Sequence, residues 1–137
     1  MQMVDFFHSL HWQVQAVLPV PLGKKRLKER GYNQVGLVAR PLAINIGMEY
    51  LPRAVQKTRD TRSQVGLSAS QRQENVKNAY QADPLAVNSK SVLLMDDVAT
   101  TGSTISACTE SLLLAGAKEV YVLTIARALA HHDLNRV

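Results

Sequence analysis

The chain has 137 residues, of which 46% are hydrophobic, 5% aromatic and 20% charged. That length suits one domain over 1–137, and the apolar share excludes wholesale disorder. Its single cysteine, Cys108, excludes an internal disulfide framework and a multi-cysteine zinc ribbon.

Sixteen Lys and Arg against eleven Asp and Glu give a net charge of +5. The excess favours anionic partners: nucleic acid, an acidic membrane surface or a multiply phosphorylated small molecule. The cations gather in two middle blocks, 24–30 (Lys-Lys-Arg-Leu-Lys-Glu-Arg) and 57–77. No apolar run reaches the ~18 residues of a membrane helix, so no membrane insertion is expected. The start, Met-Gln-Met-Val-Asp, has no basic region followed by an apolar core, so no signal peptide is expected and a reducing, cytoplasmic setting is.

In chain order, Phe6, Phe7 and Trp12 read as core or interface anchors near the N-terminus. Residues 15–20 read as a short buried strand that Pro19 and Pro21 bring to an end. Residues 24–33, the basic block and Arg-Gly-Tyr-Asn, read as a loop. Val35, Leu37, Val38, Leu42, Ala43 and Ile46 recur at helical spacing over 34–47, with Gly47 as a stop and Pro41 as a kink or break. A strand is possible over 51–57. The polar stretch 58–75 is long for a plain connection, and loops of that length are usually functional or mobile.

Ser91-Val-Leu-Leu-Met95 is a continuous apolar run suited to a central parallel strand. A short loop over 96–103 leads to a helix over about 104–115, with Ile105, Cys108, Leu112 and Leu113 on one face and Gly116 as the stop. Residues 119–126 form another apolar strand. Strand, helix and strand in this order make a βαβ unit, hence a parallel sheet. Cys108 reads as a small core residue, and His131-His132 as solvated.

Chemistry concentrates in residues 92–104, Val-Leu-Leu-Met-Asp-Asp-Val-Ala-Thr-Thr-Gly-Ser-Thr. A strand ends where open α/β sheets bind ligands. Two acids follow, then a loop of small and hydroxyl residues that feeds a helix. Backbone N–H groups at such a helix start cradle a phosphate, and Gly102 lets the backbone approach closely. The loop has no lysine and no G-x-G-x-x-G, so it is neither a Walker loop nor a dinucleotide fingerprint. Two carboxylates would repel a bare phosphate. They suit a ligand that offers hydroxyls, or a metal, beside its phosphate: a sugar phosphate.

Residues 92–104 resemble the signature of type I phosphoribosyltransferases, which bind 5-phosphoribosyl-1-pyrophosphate (PRPP) with Mg²⁺. The resemblance implies an α/β fold, a Rossmann-like core with a mostly parallel sheet of about four or five strands flanked by helices. It implies that Asp96 and Asp97 hold the ribose hydroxyls and are the catalytic acids. It also implies that Ala99, Thr100, Thr101, Gly102, Ser103 and Thr104 complete the PRPP site around the 5-phosphate. Mg²⁺ would enter through PRPP, with no direct protein ligand assigned. Pro19-Val-Pro-Leu22, Arg26 through Gln34, Thr58 through Gln64, Leu67-Ser68, Arg72, Asn75 and Ala126-Arg127 are similar to the ComF family. That resemblance covers about residues 16–127.

From it, Lys24, Arg26 and Arg30 become candidates to face the pyrophosphate, where charge develops on the leaving group. Arg59, Thr61, Arg62, Gln64, Ser68 and Arg72 belong to the loop expected to close over PRPP and exclude water. The block 24–30 also reads as a solvated loop or a nucleic-acid patch. Purine-salvage members that use a carboxylate base place an Asp four residues after the first acid; Thr100 stands there, so a purine deprotonated from this loop is not expected. Glutamine deamination is not expected either, since no N-terminal cysteine nucleophile is present. Family members carry a cysteine-rich zinc-binding segment before Pro19; the residues here that precede it contain no cysteine, which reads as a short form or a late start.

The leading expectation is phosphoribosyl transfer from PRPP to an unidentified nitrogen nucleophile, with release of pyrophosphate. The alternatives are a non-catalytic PRPP or nucleotide sensor, or a DNA-binding accessory, working with competence-machinery proteins or single-stranded DNA in DNA uptake. A homodimer is a further expectation.

Overall fold

Strand β1 (Ala16–Pro19) is buried along its whole length, because it lies inside a four-stranded, all-parallel sheet. The order is β2 (Glu49–Tyr50), β1, β5 (Ser91–Asp96), β6 (Glu119–Thr124). The computed structural model describes residues 2–58, 68–71, 79–97 and 102–125. Leu18 pairs with Leu94 and Pro19 with Met95, and β5 pairs with β6 from Ser91↔Glu119 to Asp96↔Thr124. Strands covered on both faces read as unbroken apolar runs, and Val92 through Met95 are fully buried.

Alternation along the strands sends side chains to two cores. Val17, Leu93, Met95 and Leu123 meet helix α1 (Gln2–Ser9) and helix α3 (Gly36–Ile46) on one face. Ala16, Leu18, Val92 and Leu94 meet Cys108 and Leu112 of helix α5 (Ser103–Leu114) on the other. An antiparallel ribbon of β3 (Val55–Lys57) and β4 (Tyr80–Ala82) also packs on α5. The short helix α4 (Pro84–Val87) leads from the ribbon to β5. Asp83 caps it by accepting from the Leu85 N–H at 3.0 Å, with Pro84 at its first position.

The expected central strand, the βαβ unit and the parallel sheet are all present. The basic block is a helix and not a loop: α2 spans Lys24–Arg30. Lys, Arg, Leu and Glu are strong helix formers, Lys28 and Arg30 suit the negative helix end, and Gly31 stops it at φ +78°. α3 runs through Pro41 without dividing. Leu37 is 62% exposed and Leu113 51% exposed, so neither joins the buried face expected of it. Each sits about 100° around its helix from a neighbour that packs on the core, Val38 partly covered and Leu112 fully.

The strand expected over 51–57 narrows to β3. The elements α1, β2, β4 and α4 lie outside the predicted set. At the front, Phe7 is buried, Phe6 and Trp12 pack on the first core, and the Trp12 ring lies 4.9 Å from that of Tyr121. These are core contacts. Cys108 is a buried free thiol, as expected. No helix among the described residues is long and apolar enough to cross a membrane.

Candidate functional site

The chain leaves β1 and reaches β2 on one side through α2 and α3; it leaves β5 and reaches β6 on the other side through α5. The carboxyl ends of β1 and β5 therefore flank the point where strand order reverses, the crevice in which open α/β sheets place ligands. The two strands stay together to the lip: the Val20 N–H donates to the Met95 carbonyl at 2.8 Å. Asn33, in the Arg-Gly-Tyr-Asn stretch, anchors the β1 exit. Its Nδ2 donates to the Val20 carbonyl at 3.0 Å while its Oδ1 accepts from the Val35 N–H at 3.1 Å. That second bond is an Asx turn, which explains why a short amide stands just ahead of α3.

Asp96 is the last residue of β5 and pairs with Thr124. Its side chain is half-buried, and Asp97 beyond it is exposed. The Asp97 N–H donates to Asp96 Oδ1 at 2.8 Å. Burial pushes the Asp96 carboxyl up to about 6; the Asp97 N–H bond opposes this and the Asp97 charge adds to it. The pair thus has two characters, one carboxyl desolvated at the sheet edge and one facing water.

Gly102 brings the chain into α5 at φ +80°, a left-handed conformation that side chains with a Cβ resist. Ser103 in the first turn of α5 is buried. The Lys57 ammonium lies over the Tyr80 ring, 5.9 Å from its centroid, because the ribbon register sets Lys57 opposite Tyr80. Burial, then the neighbouring Cys108 and Asp96, raise the Tyr80 phenol, and the Thr104 hydroxyl opposes them. Burial and Asp96 likewise raise the Cys108 thiol, opposed by Lys57.

Asp96, Asp97, Gly102, Ser103 and Thr104 are thus gathered at the carboxyl end of β5 and the start of α5. Ala99, Thr100 and Thr101 lie outside the described residues. Arg26 and Arg30 are exposed on α2, one helical turn apart, and Arg30 Nη1 donates to Gln34 Oε1 at 3.2 Å. Lys24 opens the same helix, its side chain outside the described set. Ser68 is exposed, its N–H donating to Gln71 Oε1 at 2.9 Å and its Oγ accepting from the Gln71 N–H at 3.2 Å. Arg59, Thr61, Arg62, Gln64 and Arg72, with the expected mobility of 58–75, fall outside the described residues, as do Ala126-Arg127 and His131-His132. Tyr80 and Lys57 were not among the expected site residues. No local pattern marks them, since the ribbon alone brings them to α5.

This arrangement has the fold of the phosphoribosyltransferases. The chain superposes on the glutamine PRPP amidotransferase of B. subtilis with a TM-score of 0.57 and 21% identity, over 88% of this chain and 25% of that one. It superposes on the adenine phosphoribosyltransferase of Thermoanaerobacter pseudethanolicus with a TM-score of 0.54 and 16% identity, over 88% and 64%. By sequence it is a homologue of the competence protein F group, in keeping with the ComF resemblance of its motifs. It is 39% identical over 119 residues to competence protein F of Haemophilus influenzae, covering 83% of this chain and 51% of that protein. It is 38% identical over 113 residues to DNA utilization protein YhgH of Escherichia coli strain K12, covering 82% and 49%. The chain therefore spans about half the length of these curated relatives. No family model matches it.

Proposed function

We propose that this chain binds PRPP in the crevice between β1 and β5 and transfers its phosphoribosyl group to a nitrogen nucleophile. The observation that carries this is the adjacent acid pair at the carboxyl end of β5, with the glycine-led start of α5 next in the order of elements. Hydroxyls of a ribose suit Asp96 and Asp97 as acceptors; a phosphate suits the N–H groups and hydroxyls of 102–104. Transfer is a displacement at ribose C1: the C1–N bond forms as the C1–O bond to pyrophosphate breaks, and pyrophosphate leaves with the electron pair. The α2 cations, Arg26 and Arg30 with Lys24, follow β1 in the chain and would favour that leaving charge.

Among the described residues no three His, Cys, Asp or Glu side chains gather as a metal cage. Mg²⁺ is proposed to enter on PRPP's own oxygens, beside the acid pair. Mg²⁺ held in that way supplies Lewis acidity to the pyrophosphate. The setting proposed is cytoplasmic.

Calorimetric titration of PRPP with Mg²⁺ tests the site. Saturable binding is expected, weakened by about 1–3 kcal/mol in Asp97→Asn and lost in Asp96→Asn/Asp97→Asn. No binding by the folded wild-type chain would overturn the reading. Pyrophosphate release with a panel of amines and bases then separates transfer from sensing.

A second reading rests on α2. Lys25, Arg26, Lys28 and Arg30 are all exposed on one short helix, which suits the phosphates of single-stranded DNA. Binding that falls steeply with salt, with a slope flattened by Lys25→Ala/Arg26→Ala, would support it.

A further inference from the structure

The outward face of α5 carries leucines where water favours polar residues. Leu114 is 82% exposed, and its neighbour Leu113 is half in water. With Ile105, Ser106, Thr109 and Glu110 they line a shallow hollow of about 480 Å³. Leu85 of α4, 95% exposed, lies toward the same end of the molecule. Two backbone bonds tie the segment after α4 to the end of α5. The Ser89 N–H donates to the Gly116 carbonyl and the Lys118 N–H to the Lys90 carbonyl, each at 2.8 Å. Among the described residues nothing covers Leu85 or Leu114. One exposed leucine is ordinary, but several gathered at one end beside a hollow mark an interaction surface.

We propose that a second copy of this chain docks on this surface, α5 against α5 in antiparallel sense about a twofold axis near Leu114. Charge selects that occupant. Glu110 is exposed four positions before Leu114, and Lys118 is exposed four positions after it. Antiparallel approach about Leu114 sets Glu110 of each copy toward Lys118 of the other, one such pair on either side of the apolar centre. The protruding leucines of each copy then face the hollow of the other. Glu110 and Lys118 cancel within the patch, on a chain whose net charge is +5, so association there gathers no excess of cations. Helix α3 offers the contrast. Leu37 and Ile44 are exposed seven positions apart on it, with exposed Arg40 midway and no acid on the helix. Two copies of that stripe would press Arg40 against Arg40, so α3 does not suit a twofold contact. The proposal does not rest on the PRPP reading.

Analytical ultracentrifugation of the intact chain over a concentration series tests this. A reversible equilibrium between monomer and dimer is expected. Leu114→Glu should raise its dissociation constant about tenfold or more, and Ile44→Glu on α3 should leave it unchanged. Both positions are exposed, and circular dichroism checks that each variant stays folded. Glu110→Lys and Lys118→Glu should each weaken the dimer about three- to tenfold by setting like charges together. The double variant Glu110→Lys/Lys118→Glu should return close to the wild-type constant. Leu114→Cys, next to the axis, should give a disulfide-linked dimer under mild oxidation, whereas the buried Cys108 of the wild type should not. A dimer indifferent to Leu114→Glu, or one lost in Ile44→Glu, would overturn the proposal. So would charge-reversal losses that add in the double variant. A chain that stays monomeric at every concentration would also overturn it, and would give the face to another occupant, the chain's own residues 126–137 or a different protein.

Discussion

Asp96 and Asp97 are chemically identical and differ by one step along the chain. That step takes the side chain from the rim of a buried sheet to open water. Asp96 has an ordinary value of 3.8 and sits at about 6 in the folded protein. A carboxyl raised on folding binds its proton more tightly in the native state, so its contribution favours folding below about pH 4. It is lost as pH rises through 6. A shift of this size has a ceiling of about 3 kcal/mol, and partial exposure reduces it to about 1–2 kcal/mol. Asp96→Asn, which does not titrate, should therefore gain stability relative to wild type by that amount between pH 4 and pH 7 in denaturant melts. A difference that stays constant with pH would mean that the carboxyl is fully solvated. PRPP affinity should rise over the same interval, because only the ionised form accepts hydroxyl bonds with both oxygens.

At the scale of elements, α5 joins the two halves of the molecule's chemistry. Its inner face carries Cys108 and Leu112, both fully buried against the sheet and ribbon; its first turn carries Ser103 and Thr104. Leu112→Ala should cost about 2–5 kcal/mol, the range for a truncated core leucine, and should loosen the ribbon with it. By contrast, Lys90 and Glu49 meet at 3.2 Å at the far end of the sheet with both side chains partly in water. Lys90→Ala should cost less than about 1 kcal/mol. Comparable losses in the two variants, measured by urea denaturation, would contradict the division between core and rim. The helix α2 shows a different balance at this scale. Its residues carry no apolar face, yet they form a helix because their propensities are high and Gly31 ends them cleanly.

For the whole molecule, the decisive feature is the reversal of strand order between β1 and β5. The acid pair stands at that point, at the carboxyl end of β5. A ligand that binds only the folded form stabilises it by mass action, by about 2.7 kcal/mol at a hundredfold excess over its dissociation constant. PRPP with Mg²⁺ should therefore raise the melting temperature of the wild-type chain and leave that of Asp96→Asn/Asp97→Asn unmoved. An equal rise in both would place the ligand elsewhere.

The sequence by itself determined β1, β5, β6 and α5, the parallel sheet they imply, and the place of the acid pair at the end of β5. Those features are local: an unbroken apolar run, a helical period, and a glycine where the backbone turns left-handed each act over a few residues. Only the tertiary structure decided that the basic block stands as a helix, that Leu37 and Leu113 face solvent, and that β3 and β4 pair across a long interval of chain. It alone brought Lys57 over the Tyr80 ring beside α5 and buried Asp96 enough to raise its carboxyl. Burial and long-range contacts depend on what folds over a residue, and no window of neighbouring residues contains that information.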